Sequence, residues 1–315
     1  MCFEIWYLKY VVVNFVEINN IAKSYGSHKA LQETSFSVKK GELFGVIGPD
    51  GAGKTTLFRI LTTLLLADSG SANIAEFDVL KDYKKIRQIV GYMPGRFSLY
   101  QDLTVEENLA FFATIFGTTI KENYELIKDI YVQIEPFKDR QAGKLSGGMK
   151  QKLALSCALI HKPEILILDE PTTGVDAVSR KEFWDLLRKF KNMGITIIVS
   201  TPYMDEASLC DRVALIQQGK IMQINTPDNI INNYKPILFE IHSNNMHDLL
   251  IKLRKYHNNS NVFLFGQTVH YSSINEISKD DLKMYLKNNG HANVEINVCT
   301  PTIEDCFLWL MKQNN

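Results

Sequence analysis

The segment Gly48-Pro49-Asp50-Gly51-Ala52-Gly53-Lys54-Thr55 constrains this chain more than any other. An apolar, strand-like run, Leu43 to Ile47, precedes it, and a helical pattern, Thr56-Leu57-Phe58-Arg59-Ile60-Leu61, follows. Glycine lets the backbone curl until several N–H groups point at one anion, and the helix N-terminus adds its positive end. A lysine at position 54 reaches β- and γ-phosphates, and a hydroxyl at position 55 can ligate Mg²⁺. In this strand–loop–helix context the segment is a phosphate loop, and it predicts that the chain binds a nucleoside triphosphate.

Composition narrows the rest. The chain has 315 residues, 45% hydrophobic and 22% charged, with zero formal net charge. That suits about two globular domains and gives no reason to expect nucleic acid as a partner. Cys2, Cys157, Cys210, Cys299 and Cys306 are scattered without paired spacing, which reads as reduced cytosolic thiols rather than a disulfide framework or a zinc site. No apolar run is long enough for a membrane span. The first thirteen residues are apolar but carry Glu4 and Lys9 and lack a basic start and a cleavage site, which argues against a signal peptide. An extra strand and a start codon placed too early both account for that N-terminal extension, residues 1–14.

Strand-like and helical stretches alternate up to Asn225, so an α/β core with a parallel sheet is expected. Strands are read around Val16 to Ile21, Phe36 to Val38, Leu43 to Ile47, Ile74, Val79, Ile89 to Met93, Ile165 to Leu168 and Ile195 to Val199, with a helix near Lys81 to Gln88. Residues 104–142 read as mostly helical, Thr104 and Glu107 forming a capping box. Beyond Asn225-Thr226-Pro227 the pattern changes to strand, helix, strand, strand, helix, strand, with a closing helix from Thr302 to Met311. That β-α-β-β-α-β order is ferredoxin-like. A boundary is expected near 227–236, leaving a nucleotide-binding part over 15–230 and an α+β module over 236–315. The module shows no catalytic constellation, so an accessory or dimer-supporting role is expected of it.

Two further motifs carry chemistry. Leu145-Ser146-Gly147-Gly148-Met149 opens a helix, with Ser146 as N-cap and two glycines that let a phosphate approach the backbone. Ile165-Leu166-Ile167-Leu168-Asp169-Glu170 is an apolar strand ending in two carboxylates, followed by Pro171-Thr172-Thr173-Gly174-Val175-Asp176. Burying such charges is costly unless they hold a metal or do chemistry.

Together these segments, from about residue 16 to 225, resemble the nucleotide-binding subunit of ATP-binding-cassette (ABC) transporters: phosphate loop, LSGGM signature, Walker B strand, and D-loop around Asp176. The part after residue 230, with its ending Pro301-Thr302-Ile303-Glu304-Asp305-Cys306-Phe307-Leu308, resembles the C-terminal extension of drug-export, ABC-2 type subunits. The resemblance implies a P-loop ATPase fold with a helical subdomain, and ATP with Mg²⁺ as cofactors. Tyr25 would stack on adenine. Gly48, Pro49, Asp50, Gly51, Ala52, Gly53 and Thr56 would shape the phosphate cradle, and Lys54 would neutralise β/γ charge. Thr55 and Asp169 would serve Mg²⁺, and Glu170 would act as general base. Ser146, Gly147, Gly148 and Asp176 would meet the nucleotide of a second cassette, homodimeric or paralogous, in a head-to-tail sandwich. A chain without a spanning segment would dock on a separate transmembrane permease at the cytoplasmic face of the membrane and power export.

Two positions depart from that pattern. A glutamine should follow Gly91-Tyr92-Met93-Pro94, but residue 95 is Gly; Gln101 comes six residues late and reads as a solvated loop residue. A histidine should follow Val199-Ser200-Thr201, but residue 202 is Pro, which offers no donor from side chain or backbone. His161 reads as a helix-end residue, not a substitute. Two accounts follow: hydrolysis by Glu170 with other groups, or a weak site paired with a competent partner. Phe97, Tyr100, Phe111, Phe112 and Phe116 could line the permease groove, core packing being the alternative for the last three. Non-transport ABC proteins need two cassettes or a long coiled coil, and here each motif occurs once with no sustained heptad run.

Overall fold

The computed structural model describes residues 14–256, 261–273, 277–291 and 293–313. The N-terminal stretch 1–13 discussed above, Cys2 included, lies outside the described residues. The chain divides into two compact units, one ending at Asn225 and the other starting at Thr226, immediately before the expected boundary region.

The first unit is built on a six-stranded sheet in the order Lys220–Asn225, Arg212–Gln217, Leu43–Ile47, Thr196–Thr201, Ile165–Asp169 and Val90–Met93. The outermost pair, Lys220–Asn225 with Arg212–Gln217, is antiparallel and every other pairing is parallel. Leu43–Ile47, Ile165–Asp169 and Thr196–Thr201 are buried at every position, as expected of parallel strands covered on both faces. Their register pairs Val46 with Ser200, Ile47 with Thr201 and Asp169 with Ser200, so three strands end side by side. Ligand sites in open α/β sheets form at such carboxyl ends.

A four-stranded antiparallel sheet of His28–Lys39, Asn14–Tyr25, Ser69–Ile74 and Phe77–Asp78 joins the central sheet through one apolar core. Leu57, Phe58, Ile60 and Leu61, on the phosphate-loop helix Lys54–Leu61, share that core with Val16, Ile18 and Ile74 of the antiparallel sheet and with Ile165, Ile167 and Ile198 of the central one. Val79, read as strand, sits in a turn instead.

Helices Val105–Ile115, Tyr124–Tyr131 and Gly147–Leu159 form the helical part. The capping box is present: Glu107 N–H donates to Thr104 Oγ1 and Thr104 N–H to Glu107 Oε2. Residues 104–142 are less helical than expected. The first helix stops at Phe116, with Gly117 at φ 69°, and the second is followed by short 3₁₀ segments around Pro136.

In the second unit the helix Pro227–Asn232 comes first, capped by Thr226. A four-stranded antiparallel sheet follows, ordered Asn261–Phe265, Thr268–Ser273, Ile237–His242 and Glu295–Val298. Helices Met246–Tyr256 and Lys279–Asn288 bury Leu249, Leu253, Leu282 and Leu286 against it. This is the expected βαββαβ order, closed by the helix Ile303–Gln313. His270 Nδ1 lies 2.7 Å from Asp305 Oδ1, tying that last helix to the sheet. Among the described residues no helix is long and apolar enough to cross a membrane.

Candidate nucleotide site

Tyr25, His28, Ala30, Gly51, Gly53, Lys54, Thr55, Thr56 and Glu170 line one cleft of about 200 Å³. Gly53 has φ 106°, and a Cβ there would lie 2.4 Å from the Ala30 carbonyl oxygen, so only glycine fits between loop and strand. Among the described residues, the backbone N–H groups of Gly51, Gly53, Lys54, Thr55 and Thr56 meet no protein acceptor. Unpaired amides converging at a helix N-terminus are the chemistry of a phosphate cradle, so the residues present fit a polyphosphate. Of the rest of the motif, Asp50 is exposed, Ala52 is buried with its N–H on the Pro49 carbonyl (3.2 Å), and Gly48 N–H reaches the Thr201 carbonyl (3.3 Å).

Lys54 is the best-anchored cation in the cleft. Its Nζ donates to the carbonyls of Gly48 (2.8 Å) and Pro49 (3.0 Å) and sits 3.0 Å from Glu170 Oε1, with side-chain exposures of 2% and 22%. Glu170 has φ 49°, a left-handed conformation rare outside glycine and asparagine. Its N–H is held by Ser200 Oγ (3.0 Å) and the Ser200 carbonyl (3.1 Å). Asp169, buried at the end of its strand, accepts a bond from Ser200 Oγ on Oδ1 (2.7 Å). Among the described residues no cluster of three or more His, Cys, Asp or Glu side chains could hold a metal. A Mg²⁺ here would draw on few protein ligands plus phosphate oxygens, which suits that ion.

Beside Asp169, burial chiefly, and then the Asp169 charge, push the Tyr92 hydroxyl up to about 12. Gly95 sits against the same carboxylate: a Cβ there would lie 3.1 Å from the Asp169 carbonyl oxygen and 3.7 Å from Oδ2. Pro202 follows Thr201, whose hydroxyl donates to the buried Glu206 carboxylate, as does Thr172 Oγ1 (3.2 Å). Neither position 95 nor 202 brings a donor or acceptor side chain to the cleft. Gln101 is exposed in a turn.

Ser146, Gly147, Gly148 and Asp176 form a second group, outside this cleft. Ser146 caps the helix Gly147–Leu159 (Met149 N–H to Oγ, 3.3 Å). Asp176 caps Ala177–Asn192, accepting from the amides of Val178 (3.1 Å) and Ser179 (3.0 Å); the Ser179 amide, first, holds its carboxyl below the usual range. A Cβ at Gly148 would lie 3.1 Å from Ser179 Oγ, so the two helix starts are adjacent.

Sequence reasoning missed His28 and Ala30. Their signal was two-residue spacing in a strand that starts after the Gly26 turn, just beyond Tyr25. It also missed the shape of a cavity of about 820 Å³ between the sheet and the helical part. Arg59, Leu64, Tyr92, Met93, Phe112 and Phe116 line it, so Phe112 and Phe116 are not core residues. Phe111 is exposed and packs edge-on against Tyr100, ring centroids 4.8 Å apart. His161 lies at the groove floor just past its helix, stacked on Phe116 (3.8 Å) with Nε2 on the Val90 carbonyl (3.2 Å). Burial depresses its pKa to about 4.

Fold and cleft define a phosphate-loop nucleotide-binding protein with an α/β core and a helical insertion. The comparisons refine this. The family described as ABC transporter matches residues 31–173. The Nod factor export ATP-binding protein I of Sinorhizobium fredii is 34% identical over 94% of this chain and 85% of its own length. YbhF of Escherichia coli, named "Probable multidrug ABC transporter ATP-binding protein", is 36% identical over 94% of this chain. This chain spans 52% of the length of YbhF. Among solved structures, the ATP-binding cassette MJ0796, in a dimeric post-hydrolysis state bound to ADP and Pi, has TM-score 0.62 and 25% identity over 67% of this chain and 98% of its own. The cbiO1 subunit of Clostridium perfringens, part of the cbiONQ complex, has TM-score 0.62 and 26% identity over 70% of this chain and 91% of its own. The chain belongs to the ABC transporter family, among its ATP-binding subunits.

Proposed function

We propose that the chain binds and hydrolyses ATP in a head-to-tail cassette pair and powers export through a separate membrane permease. The observation that carries this reading is the junction of Lys54, Asp169 and Glu170 at the carboxyl ends of three parallel strands, beside a loop with unpaired amides. In this reading the amides of Gly51, Gly53, Lys54, Thr55 and Thr56 grip the phosphates and Lys54 balances β/γ charge. Tyr25, 48% exposed at the cleft, stacks on adenine. Glu170 exchanges its contact with Lys54 for the attacking water and accepts its proton. Thr55 and Asp169 would hold Mg²⁺, which would supply charge neutralisation to the phosphates when bound. Ser146, Gly147, Gly148 and Asp176, grouped away from the cleft, serve the nucleotide of a second cassette. ATP thereby favours the closed pair and hydrolysis releases it.

The 820 Å³ groove receives a permease segment, with Phe97, Tyr100 and Phe111 at its approach, and this contact keeps the chain at the cytoplasmic face of the membrane. The relatives' names point to export of multidrug or Nod-factor type cargo. The C-terminal ferredoxin-like module acts as an accessory, dimer-supporting element. A second reading, a weak site completed by a competent paralogue, is favoured by Gly95 and Pro202. The retained Glu170 supports hydrolysis, since its loss is the shortest route to an inactive site. ATP turnover by the purified chain beside Glu170→Gln tests this. Turnover abolished by the substitution supports the first reading, and tight ATP binding with no turnover in either protein supports the second.

A further inference from the structure

The structure assigns Ser200 a positioning role: its hydroxyl sets both acidic groups of the site, Asp169 through its side chain and Glu170 through its backbone. This rests on the ATPase reading above. Ser200 is fully buried, and its one hydroxyl hydrogen goes to Asp169 Oδ1 at 2.7 Å. One of its lone pairs accepts the Glu170 N–H at 3.0 Å. The parallel register that pairs Asp169 with Ser200 makes both bonds possible.

Two consequences follow from this accounting. With Oδ1 engaged, Oδ2 is the Asp169 oxygen on the side of Gly95, where it accepts no hydrogen bond among the described residues. One bond thus selects which carboxylate oxygen remains for a cation. The second consequence concerns Glu170, whose φ of 49° is unfavourable for a residue with a Cβ. A conformation of this kind persists only where its surroundings over-determine it, and Ser200 supplies two acceptors, hydroxyl and carbonyl, to the same N–H. The next residue on the same strand, Thr201, is tied to buried Glu206, which fixes the strand end against the segment carrying Thr172. With Pro202 unable to donate, the polar hold of this strand on the two acidic residues passes through Ser200.

The test uses the full chain with Ser200→Ala and Ser200→Thr. Mn²⁺ binding in the presence of ATP is followed by electron paramagnetic resonance, nucleotide affinity is measured in EDTA, and kcat and KM are determined with Mg²⁺. For Ser200→Ala, half-saturation by Mn²⁺ should rise about tenfold and kcat should fall about tenfold or more. ATP affinity in EDTA should stay within about twofold, because the loop amides and Lys54 are untouched. Ser200→Thr, which keeps the hydroxyl, should recover both losses to within about threefold. If Ser200→Ala does not fold, Ser200→Cys replaces it, with similar volume and a weak donor. Wild-type metal affinity and kcat in the alanine variant would overturn the assignment. A threonine variant as defective as alanine would overturn it too, since the role would then be packing. A wild-type chain that binds Mn–ATP without turning it over would overturn the hydrolytic reading alone, and the metal affinities would still decide Ser200.

Discussion

The two halves of the nucleotide site are built differently. On the phosphate-loop side, Lys54, Asp169 and Glu170 are each held by at least one charged or hydrogen-bonded contact at 3.0 Å or less. Beside them, Gly95 and Pro202 bring no polar side chain. The contrast separates gripping phosphate from reading its state. In the proposed function, gripping rests on the loop amides, on Lys54 and on the Asp169 carboxylate that would serve Mg²⁺. Sensing the γ-phosphate through a side chain is absent at the two positions where the family provides it. If the proposed function holds, this cassette runs on its gripping half, and variants in the two halves should behave in opposite ways.

The largest effect should come from the gripping half. Glu170→Gln should lower kcat by about 10²-fold or more while preserving ATP affinity, because the proton acceptor is lost but the cradle is intact. Steady-state turnover and equilibrium nucleotide binding check this together. An unchanged kcat would mean that another group accepts the proton and would dissolve the contrast. Next in size is the groove. Tyr100→Glu places a charge beside Phe111 at the approach to the cavity and should weaken permease co-purification by about tenfold or more, with ATP binding unchanged. Survival of both co-purification and coupled transport would move the docking surface elsewhere.

Gly95→Gln attacks the contrast from the other side. Position 95 has no left-handed φ, and the nearest atom to an added Cβ is the Asp169 carbonyl oxygen at 3.1 Å, so the site accepts a side chain after a shift of a few tenths of an ångström. A glutamine amide beside Asp169 should raise turnover about threefold to fivefold if sensing limits the rate. Turnover that stays flat or falls would show that this chain has adapted to work without the group.

Much of this was legible before the structure, for local reasons. The phosphate loop, the Thr104 capping box and the Ser146 cap are written in contiguous residues whose backbone needs are strict. The βαββαβ order was readable because its strands and helices differ in period. What could not be read depends on register between distant segments. Ser200 looks like any strand serine until parallel pairing sets it against Asp169. His28 and Ala30 become cleft residues only because Gly53 packs on the Ala30 carbonyl. Phe112 and Phe116 carry the apolar spacing of a core face, and the open groove beside them arises from how the helical part leans on the sheet. Helix content over 104–142 was overread because Gly117 and Pro136 interrupt the pattern more strongly than the apolar spacing suggests.

His161 supplies the smallest and sharpest test of the comparison. With Pro202 in place of a histidine, His161, just before the strand that carries Asp169, is a candidate substitute, yet it belongs to the groove floor. Its stacking on Phe116 and its contact with the Val90 carbonyl bury a neutral ring. Burial lowers its pKa from 6.5 to about 4, so at neutral pH it carries no charge to offer a phosphate. The sign of the pH effect follows. Between those values the unfolded chain binds the extra proton and the folded one does not, so folding stability is whole above about 6.5 and is lost as pH falls toward 4. At pH 5.5 the loss should be about 1 kcal/mol after allowing for partial exposure. His161→Asn should flatten the slope of stability between pH 7 and pH 5, read by urea denaturation at each pH against wild type. An unchanged slope would mean that the ring is not buried neutral.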